Sequence, residues 1–416
     1  MSTQPKNIVI VGAGIIGCTT AYYLSRHPAF TSGNNTITII EASQHGPAQG
    51  ASGKAGGLVA KWAYPKEIVR VSFEEHVKLA KEHDGAKRWG WREVEVGTWE
   101  GNGDEGVLDR KKRGKGVGMR SLEKKEGLDG EFKAGLDEEK SKGPSSSLLP
   151  VDLDWMEERL TESYASMAPT GSTAQVHPYL FTTSMHQLAT SAGVQAIQGR
   201  VTAVSVSSGR VIGVTYHISS ADEPTEIPAT DVIICAGAWS PTIHPLTKLP
   251  ITHTRAHSIT IQPQPGTTIS PYVLFTSISL PSPSSSKKKT EFTPEIYARP
   301  NNEIYVCGPG DDEPLPGTVD DVKAEVAACD AIWEQAASVS VQMREGVVDR
   351  KQACFLPLGG PILGEVRGMK GLVVATGHTC WGISNGPGTA KAVSELVFDG
   401  KVTCANLKSL EPHKFF

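Results

Sequence analysis

The sequence has no apolar run long enough to cross a bilayer, so no helical membrane anchor is expected. It has no CxxC pair, and its cysteines number seven, an odd count that suits a reducing compartment better than a disulfide framework. It has no excess of either charge: 41 Lys and Arg stand against 45 Asp and Glu, for a formal net charge of −4 and a pI near 6.3. That balance offers no field to attract nucleic acid. The local basic runs, Arg110 to Lys115 and Lys287 to Lys289, lie in polar, turn-rich surroundings and read as solvated loops. The opening Met1 to Lys6 is polar and leaves no space for a signal peptide, and the closing Pro412 to Phe416 is not the peroxisomal tripeptide. The cytoplasm is the expected location, and no metal site is expected.

What is present is material for a large core. At 416 residues, 39% hydrophobic and 21% charged, the chain is long enough for two domains. Its start, Asn7 to Gly17 followed by Ile37 to Glu41, reads as strand, glycine turn, helix (Ile15 to Arg26), strand. Gly12 permits a sharp turn, Gly14 lets backbone approach a pyrophosphate, and Gly17 lets the helix press on the sheet. Phosphates then meet free N–H groups at the helix N-terminus, and Glu41 ends the second strand where it accepts from ribose hydroxyls. The plainer alternative is a Gly-rich turn in some other α/β fold.

Gly50 to Gly57 is a run of small residues with one cation, followed by the apolar Leu58 to Ala60. Ser52 and Lys54 offer a hydroxyl and a charge to phosphate oxygens, and the small residues let backbone crowd a flat ring; a flexible linker is the alternative. Glu67 to His83 has helical spacing, as do Asp152 to Ser166, Phe181 to Ala192 and Val319 to Ala337. Strands are expected at Val201 to Val206 and Arg210 to His217. A buried one is expected at the start of Thr230 to Ser240, whose Ala236-Gly237-Ala238 turn brings backbone close to a ligand. Alternating stretches at Ser258 to Gln262, Tyr272 to Phe275, Glu295 to Arg299 and Glu303 to Cys307 point to an antiparallel sheet. The chain closes with Gly371 to His378, a glycine turn and a helix through Phe398, so first and last segments belong to one discontinuous unit. The expected fold is α/β: a Rossmann-like dinucleotide domain from residues 1–84, 176–245 and 350–416, and a smaller antiparallel α+β substrate domain from 85–175 and 246–349. Residues 101–147 and 281–290, poor in large apolar side chains, are expected as flexible insertions.

Five blocks in order, Val11 to Gly17 with Glu41, Ala51 to Gly57, Val176 to Pro178, Ile234 to Ser240, and Val374 to His378 with Trp381 to Ile383, resemble the D-amino-acid-oxidase-like family of FAD-dependent oxidoreductases. The resemblance covers most of the chain and implies FAD as cofactor. It implies that Gly12, Ala13, Gly14, Ile16 and Gly17 hold the pyrophosphate, with Glu41, Ala42 and Ser43 at the adenosine ribose. Ala51, Ser52, Gly53, Lys54, Ala55, Gly56, Gly57 and Leu58 would run along the flavin, Val201 would pack on the adenine, and Ala236, Gly237 and Trp239 would close on the cofactor. Gly377, His378, Gly382 and Ile383 would lie by the pyrimidine edge of the ring, where helix N–H groups stabilise negative charge on the reduced flavin. His378 and Trp381 are candidates for a direct role at the reacting centre; a turn residue and ordinary packing are the alternatives.

One departure bears on the substrate. In amino-acid-oxidising members an arginine stands one or two residues after the position of Cys354 and clamps the substrate carboxylate; here Phe355 and Leu356 follow. Arg299, or failing it Arg255, is the candidate replacement, each with a surface cation as its plain alternative. Cys354 itself is either bonded to the flavin, as in sarcosine and fructosyl-amine oxidases, or unbonded, and the unbonded form is expected. The resemblance implies hydride transfer from a carbon bearing an amine, with oxygen or another acceptor reoxidising the flavin. The rivals are a flavin dehydrogenase of a 2-hydroxy acid and a flavin-binding protein without turnover that acts through partners.

Overall fold

The computed structural model describes residues 5–31, 33–107, 147–218, 223–282 and 285–416. Its first sheet has six strands in the order β19 (Ile362–Glu365), β20 (Leu372–Thr376), β12 (Asp231–Ile234), β1 (Asn7–Val11), β2 (Thr36–Glu41), β8 (Gln195–Gln198). All neighbours run parallel except β19 and β20. The near-continuous burial of β1, β12 and β20 follows from cover on both faces. One face is covered by α1 (Ile15–Ser25), α2 (Lys66–Glu82), α4 (Pro178–Thr190) and α7 (Gly382–Asp399). The other is covered by the three-stranded sheet β9 (Arg200–Ser207), β10 (Arg210–His217), β11 (Thr225–Pro228) and the stretch from Ile243 to Ile251.

Helix α7 lies close to its neighbours because of what its sequence omits. A Cβ on Gly386 would stand 2.9 Å from Ile15 of α1, and one on Gly388 would stand 2.2 Å from the Ser72 hydroxyl of α2. Between them Pro387 has no N–H for the carbonyl four residues earlier, that of Ile383. His76 of α2 supplies the donor instead, its Nε2 3.0 Å from the Ile383 oxygen.

The second large sheet has eight strands. Its path is β18 (Val347–Leu358), β13 (Thr252–Gln262), β17 (Glu303–Asp311), β16 (Glu295–Arg299), β14 (Tyr272–Ser282), β5 (Glu95–Asn102), β6 (Thr161–Ser166), with β15 (Ser285–Phe292) on β14. It is antiparallel apart from the β5–β14 pair. One face packs on α5 (Val326–Ala337) and α6 (Val341–Glu345); the other meets β3 (Leu58–Ala60) and the start of α7 through Val273, Tyr297, Tyr305 and Trp381. β3, β7 (Thr173–Gln175) and β4 (Arg92–Glu93), with α3 (Gly85–Trp89) nearby, form a small sheet at this seam. No helix among the described residues is long and apolar enough to cross a membrane.

Four expectations are corrected. Asp152 to Ser166 is not a helix: Leu153, Trp155, Met156 and Leu160 each plug into the core of the eight-stranded sheet, and the chain then pairs with β5 as β6. Val319 to Ala337 is not continuous, because the helix starts only at Val326, capped by the Glu325 carboxylate, while Val319–Asp321 forms a separate 3₁₀ turn. Of residues 281–290, Pro281 and Ser282 end β14 and 285–290 lie in β15, with Leu280 opposite Thr290 and Pro281 opposite Lys289, while residues 283 and 284 lie outside the described residues. Residue 350, where the dinucleotide unit was expected to resume, falls inside β18, whose whole length pairs with β13. Of the expected insertion 101–147, Gly101 and Asn102 finish β5 and Glu105–Val107 is a 3₁₀ turn; residues 108–146 lie outside the described residues.

Candidate active site

The carboxyl ends of β1, β2, β12 and β20 open on one elongated cleft with about 1270 Å³ of empty space, part of it open to solvent. At its first end β1 turns into α1 through Gly12, whose φ of +98° suits glycine. A side chain on Gly17 would place Cβ 1.9 Å from the Gly12 carbonyl, so the helix reaches the turn only because that atom is missing. The α1 ladder begins with Cys18 N–H on the Gly14 carbonyl, leaving earlier N–H groups to outside partners. Ser52 Oγ, 2.9 Å from Ile15 N, takes one, and a Cβ on Gly14 would sit 3.1 Å from that hydroxyl.

Glu41 holds the loops on either side. Its Oε2 accepts from Ala13 N at 2.6 Å and its Oε1 from Ser43 N at 2.9 Å. Burial raises its pKa, and the N–H donors oppose that shift. At the far end of the cleft β20 leads through Gly377, His378 and Thr379 to α7. Gly377 and Thr379 both have positive φ, +81° and +50°, and Thr379 N–H donates to the Pro357 carbonyl at 3.0 Å, tying this turn to β18. His378 Nε2 lies 3.0 Å from Thr389 Oγ1, and burial lowers its pKa to about 4, so the ring is neutral at pH 7. Ser240 Oγ donates to Thr376 Oγ1 at 3.0 Å, which in turn lies 3.1 Å from the Gly237 carbonyl, fixing the turn after β12 against β20.

Gly12, Gly14, Ile16, Glu41, Ala42, Ala51, Ser52, Ala55, Val201, Ala236, Gly237, Trp239, Gly377, His378, Gly382 and Ile383 all line this cleft. Others of the expected set stand behind it. Ala13 and Gly17 face the sheet and the turn, Ser43 donates to Asp320, and Leu58 is buried in β3. Gly53, Gly56 and Gly57 are small because protein crowds them: a Cβ would meet the Ala48 carbonyl at 2.0 Å, the Tyr297 ring at 2.6 Å and the Val176 carbonyl at 2.0 Å. Lys54 donates to the Ala353 carbonyl on β18 at 3.0 Å instead of turning to the α1 N-terminus. Cys354, next to it in β18, is buried, while Phe355, Leu356 and Pro357 line the cleft. Trp381 packs edge-to-face on Trp62, ring centres 5.6 Å apart.

Neither candidate arginine reaches the cleft. Arg299 is 3% exposed; its Nη2 donates to His177 Nε2 at 3.1 Å, and its Nε is 3.2 Å from Glu303 Oε2, an ion pair outside hydrogen-bond alignment. Arg255 holds Asp311 through Nε and Nη2 at 2.9 to 3.2 Å, with Glu313 3.6 Å away. In this structure each is held in an ion pair on the eight-stranded sheet. Sequence reasoning missed Gly317, Thr318 and Val319, which come from the segment after β17 and line the cleft beside Gly50. It also missed Gln49, Arg200 and Thr379. The only sequence signal near the first group was Gly317 after two prolines, a turn motif silent about its destination.

The model of the family described as "FAD dependent oxidoreductase", DAO, matches residues 7–396. The Saccharomyces cerevisiae protein named "Putative oxidoreductase TDA3" is 32% identical over 514 aligned positions, which take in 100% of this chain and 96% of that one. Among solved structures, glycine oxidase of Bacillus cereus superposes with a TM-score of 0.67 at 16% identity, over 96% of this chain and 98% of its own. L-proline dehydrogenase of P. horikoshii superposes with a TM-score of 0.69 at 16% identity, over 100% and 98%. With a Rossmann-type sheet, a glycine turn against α1 and a family match from end to end of the two-sheet body, the chain belongs to the DAO family of FAD-dependent oxidoreductases.

Proposed function

We propose that the cleft holds FAD from the α1 N-terminus to the α7 N-terminus and that the enzyme oxidises the C–N bond of an amine or amino-acid-like small molecule. The fit to FAD rests on the chain's own atoms. Gly14 faces the cleft with only Ser52 near its missing side chain, Ser52 Oγ stands at the first N–H groups of α1, and the Glu41 carboxylate lines the end proposed for the ribose. Bound FAD supplies a two-electron acceptor for the hydride. Gly382 and Ile383 present the start of an 18-residue helix, where N–H dipoles favour negative charge. Neutral His378, held on Thr389, orients that turn and carries no charge near pH 7. Oxygen is the proposed final acceptor, and the cytoplasm the proposed place of action, supported by seven cysteines of which none is in a disulfide.

The observation that carries the substrate reading is the charge of the walls. Among the described residues lining the cleft the one cation is Arg200, next to Val201 at the Glu41 end; the β18 wall offers Phe355, Leu356 and Pro357. A buried substrate carboxylate there would stand unpaired, at a cost on the order of 3 kcal/mol or roughly a hundredfold in affinity. The two structural neighbours are named for glycine and L-proline, yet the substrates supported here are larger, secondary or uncharged amines. The test is an anaerobic screen of amines, N-alkyl amino acids and 2-hydroxy acids against the purified yellow protein. Bleaching by secondary amines with little response to D-alanine is expected. Rapid bleaching by D-alanine, or by hydroxy acids alone, would end this reading.

A further inference from the structure

Ten residues, 312–321, run from the end of β17 at Asp311 to the Val319–Asp321 turn before α5, and they do not stay with the sheet they leave. Their feet are on the eight-stranded sheet: Asp311 is gripped by Arg255, and Glu325 N–H donates to His257 Nε2 at 3.0 Å. Their crown lies on the dinucleotide side. Trp239 Nε1 donates to the Pro316 carbonyl at 2.8 Å, Gly317, Thr318 and Val319 line the cleft, and Val319 is 3.7 Å from where a Gly50 Cβ would be. The far end is fastened by one carboxylate. Asp320 Oδ1 accepts from Ser43 Oγ at 2.5 Å and Asp320 Oδ2 from Gln44 N–H at 2.9 Å. Ser43 and Gln44 follow Glu41, so the fastening is made to the loop that carries the ribose-end carboxylate.

We propose that Pro316 to Asp321 is a strap across the FAD cleft, latched by Asp320 to Ser43 and Gln44, and that this latch sets how slowly FAD leaves. Asp320 is a positioning residue that acts through the loop and the strap. The geometry gives the latch its character. Ser43 is buried at 1% exposure while Asp320 is exposed, so one partner is fixed and the other belongs to a segment able to lift. Both bonds end on carboxylate oxygens, a strong class of acceptor. A strap pinned at Trp239 and at Asp320 covers a ligand beneath Gly317 to Val319 until one pin opens. The Trp239 pin is an indole on a rigid 3₁₀ turn, Gly237–Thr242, so the carboxylate is the pin that opens.

This inference rests on the reading of the cleft as the FAD site, and the test separates the two. Holoprotein is purified, FAD per chain is counted from the visible spectrum, and release is followed by the rise of free-flavin fluorescence after dilution. Asp320→Ala and Ser43→Ala should each release FAD about tenfold faster or more than the unaltered chain. The double variant should add little to Ser43→Ala, which breaks the latch and also removes the acceptor of His45 N–H at 3.0 Å. Melting curves of the FAD-free proteins should overlay the unaltered one, which separates a latch from a general loss of stability; if Asp320→Ala does not fold, Ser43→Ala decides. FAD-loaded protein whose release rate is unchanged by these substitutions would overturn the strap alone. An unaltered chain that holds no FAD would overturn the reading of the cleft and the strap with it.

Discussion

Two glycines of the first turn share a motif and fail differently when replaced. Gly14 faces the cleft, and its nearest prospective contact is the movable Ser52 hydroxyl at 3.1 Å; Gly17 faces the Gly12 carbonyl, where a Cβ would sit 1.9 Å away. Gly14→Val is therefore expected to leave a folded, colourless protein whose melting matches that of the FAD-free parent. Gly17→Ala forces α1 off β1, overpacking that costs about 1–3 kcal/mol, and should lower melting with or without FAD. Equal melting for both variants would show that the two positions are not so divided. The residues that sequence reasoning brought to the cleft are those with local reasons, such as Gly12, Gly14 and Glu41. Lys54, Arg299 and Ser43 meet protein partners that sequence could not show, because Ala353, His177 and Asp320 are far off in the chain. A cation beside small residues or on a strand has the same sequence pattern whether it meets a ligand or a carbonyl.

At the scale of the element, α7 shows how a helix N-terminus is fixed at a site. Its second residue, Ile383, lines the cleft, and the carbonyl that Pro387 leaves without an intrahelical donor is taken by His76. His378 abuts the same turn from the other side through Thr389. Burial lowers the pKa of each histidine to about 4, from an ordinary value near 6.5. Because the unfolded chain takes up these protons first, the neutral rings contribute stability that is complete above pH 6.5 and is lost as pH falls toward 4. The loss approaches a size on the order of 3 kcal/mol for each ring. Urea unfolding of the FAD-free protein between pH 7 and pH 4.5 should show the fall, and His76→Leu, though less stable at pH 7, should show a shallower one. An equal slope in the variant would exclude His76 as a source. The outline of α7 was readable from its glycine turn and apolar spacing, whereas β6 was not. Leu153, Trp155, Met156 and Leu160 mimic a helical stripe, yet each fills a separate hole in the eight-stranded sheet.

For the whole molecule, the two-sheet division followed from strand patterning, but where the chain crosses between the sheets depends on pairing. β18 ends at the cleft through Phe355 and Leu356 while hydrogen-bonded along its length to β13, and the 312–321 stretch returns from the eight-stranded sheet to the dinucleotide side. Composition marks a polar stretch from Gly101 onward but not where packing stops. Gly103 N–H donates to the Ser279 carbonyl at 3.0 Å, Asp104 N–H to the Ser338 carbonyl at 2.8 Å, and the Asp104 carboxylate accepts from Arg159. A Cβ on Gly103 would strike Leu280 at 2.2 Å, so this backbone lies tight on β14 and the end of α5. Two trims of the same stretch should therefore differ. Replacing 108–146, poor in large apolar residues, by a short flexible linker should leave FAD content and melting unchanged, since little apolar area is at stake. Extending the cut back to Gly103 removes two backbone hydrogen bonds, about 1 kcal/mol each, and uncovers Leu280, so melting should fall while FAD, bound at the other sheet, is retained. Loss of FAD in the shorter trim would show that residues 108–146 reach the cleft, and identical melting in both trims would show that Gly103 and Asp104 hold nothing in place.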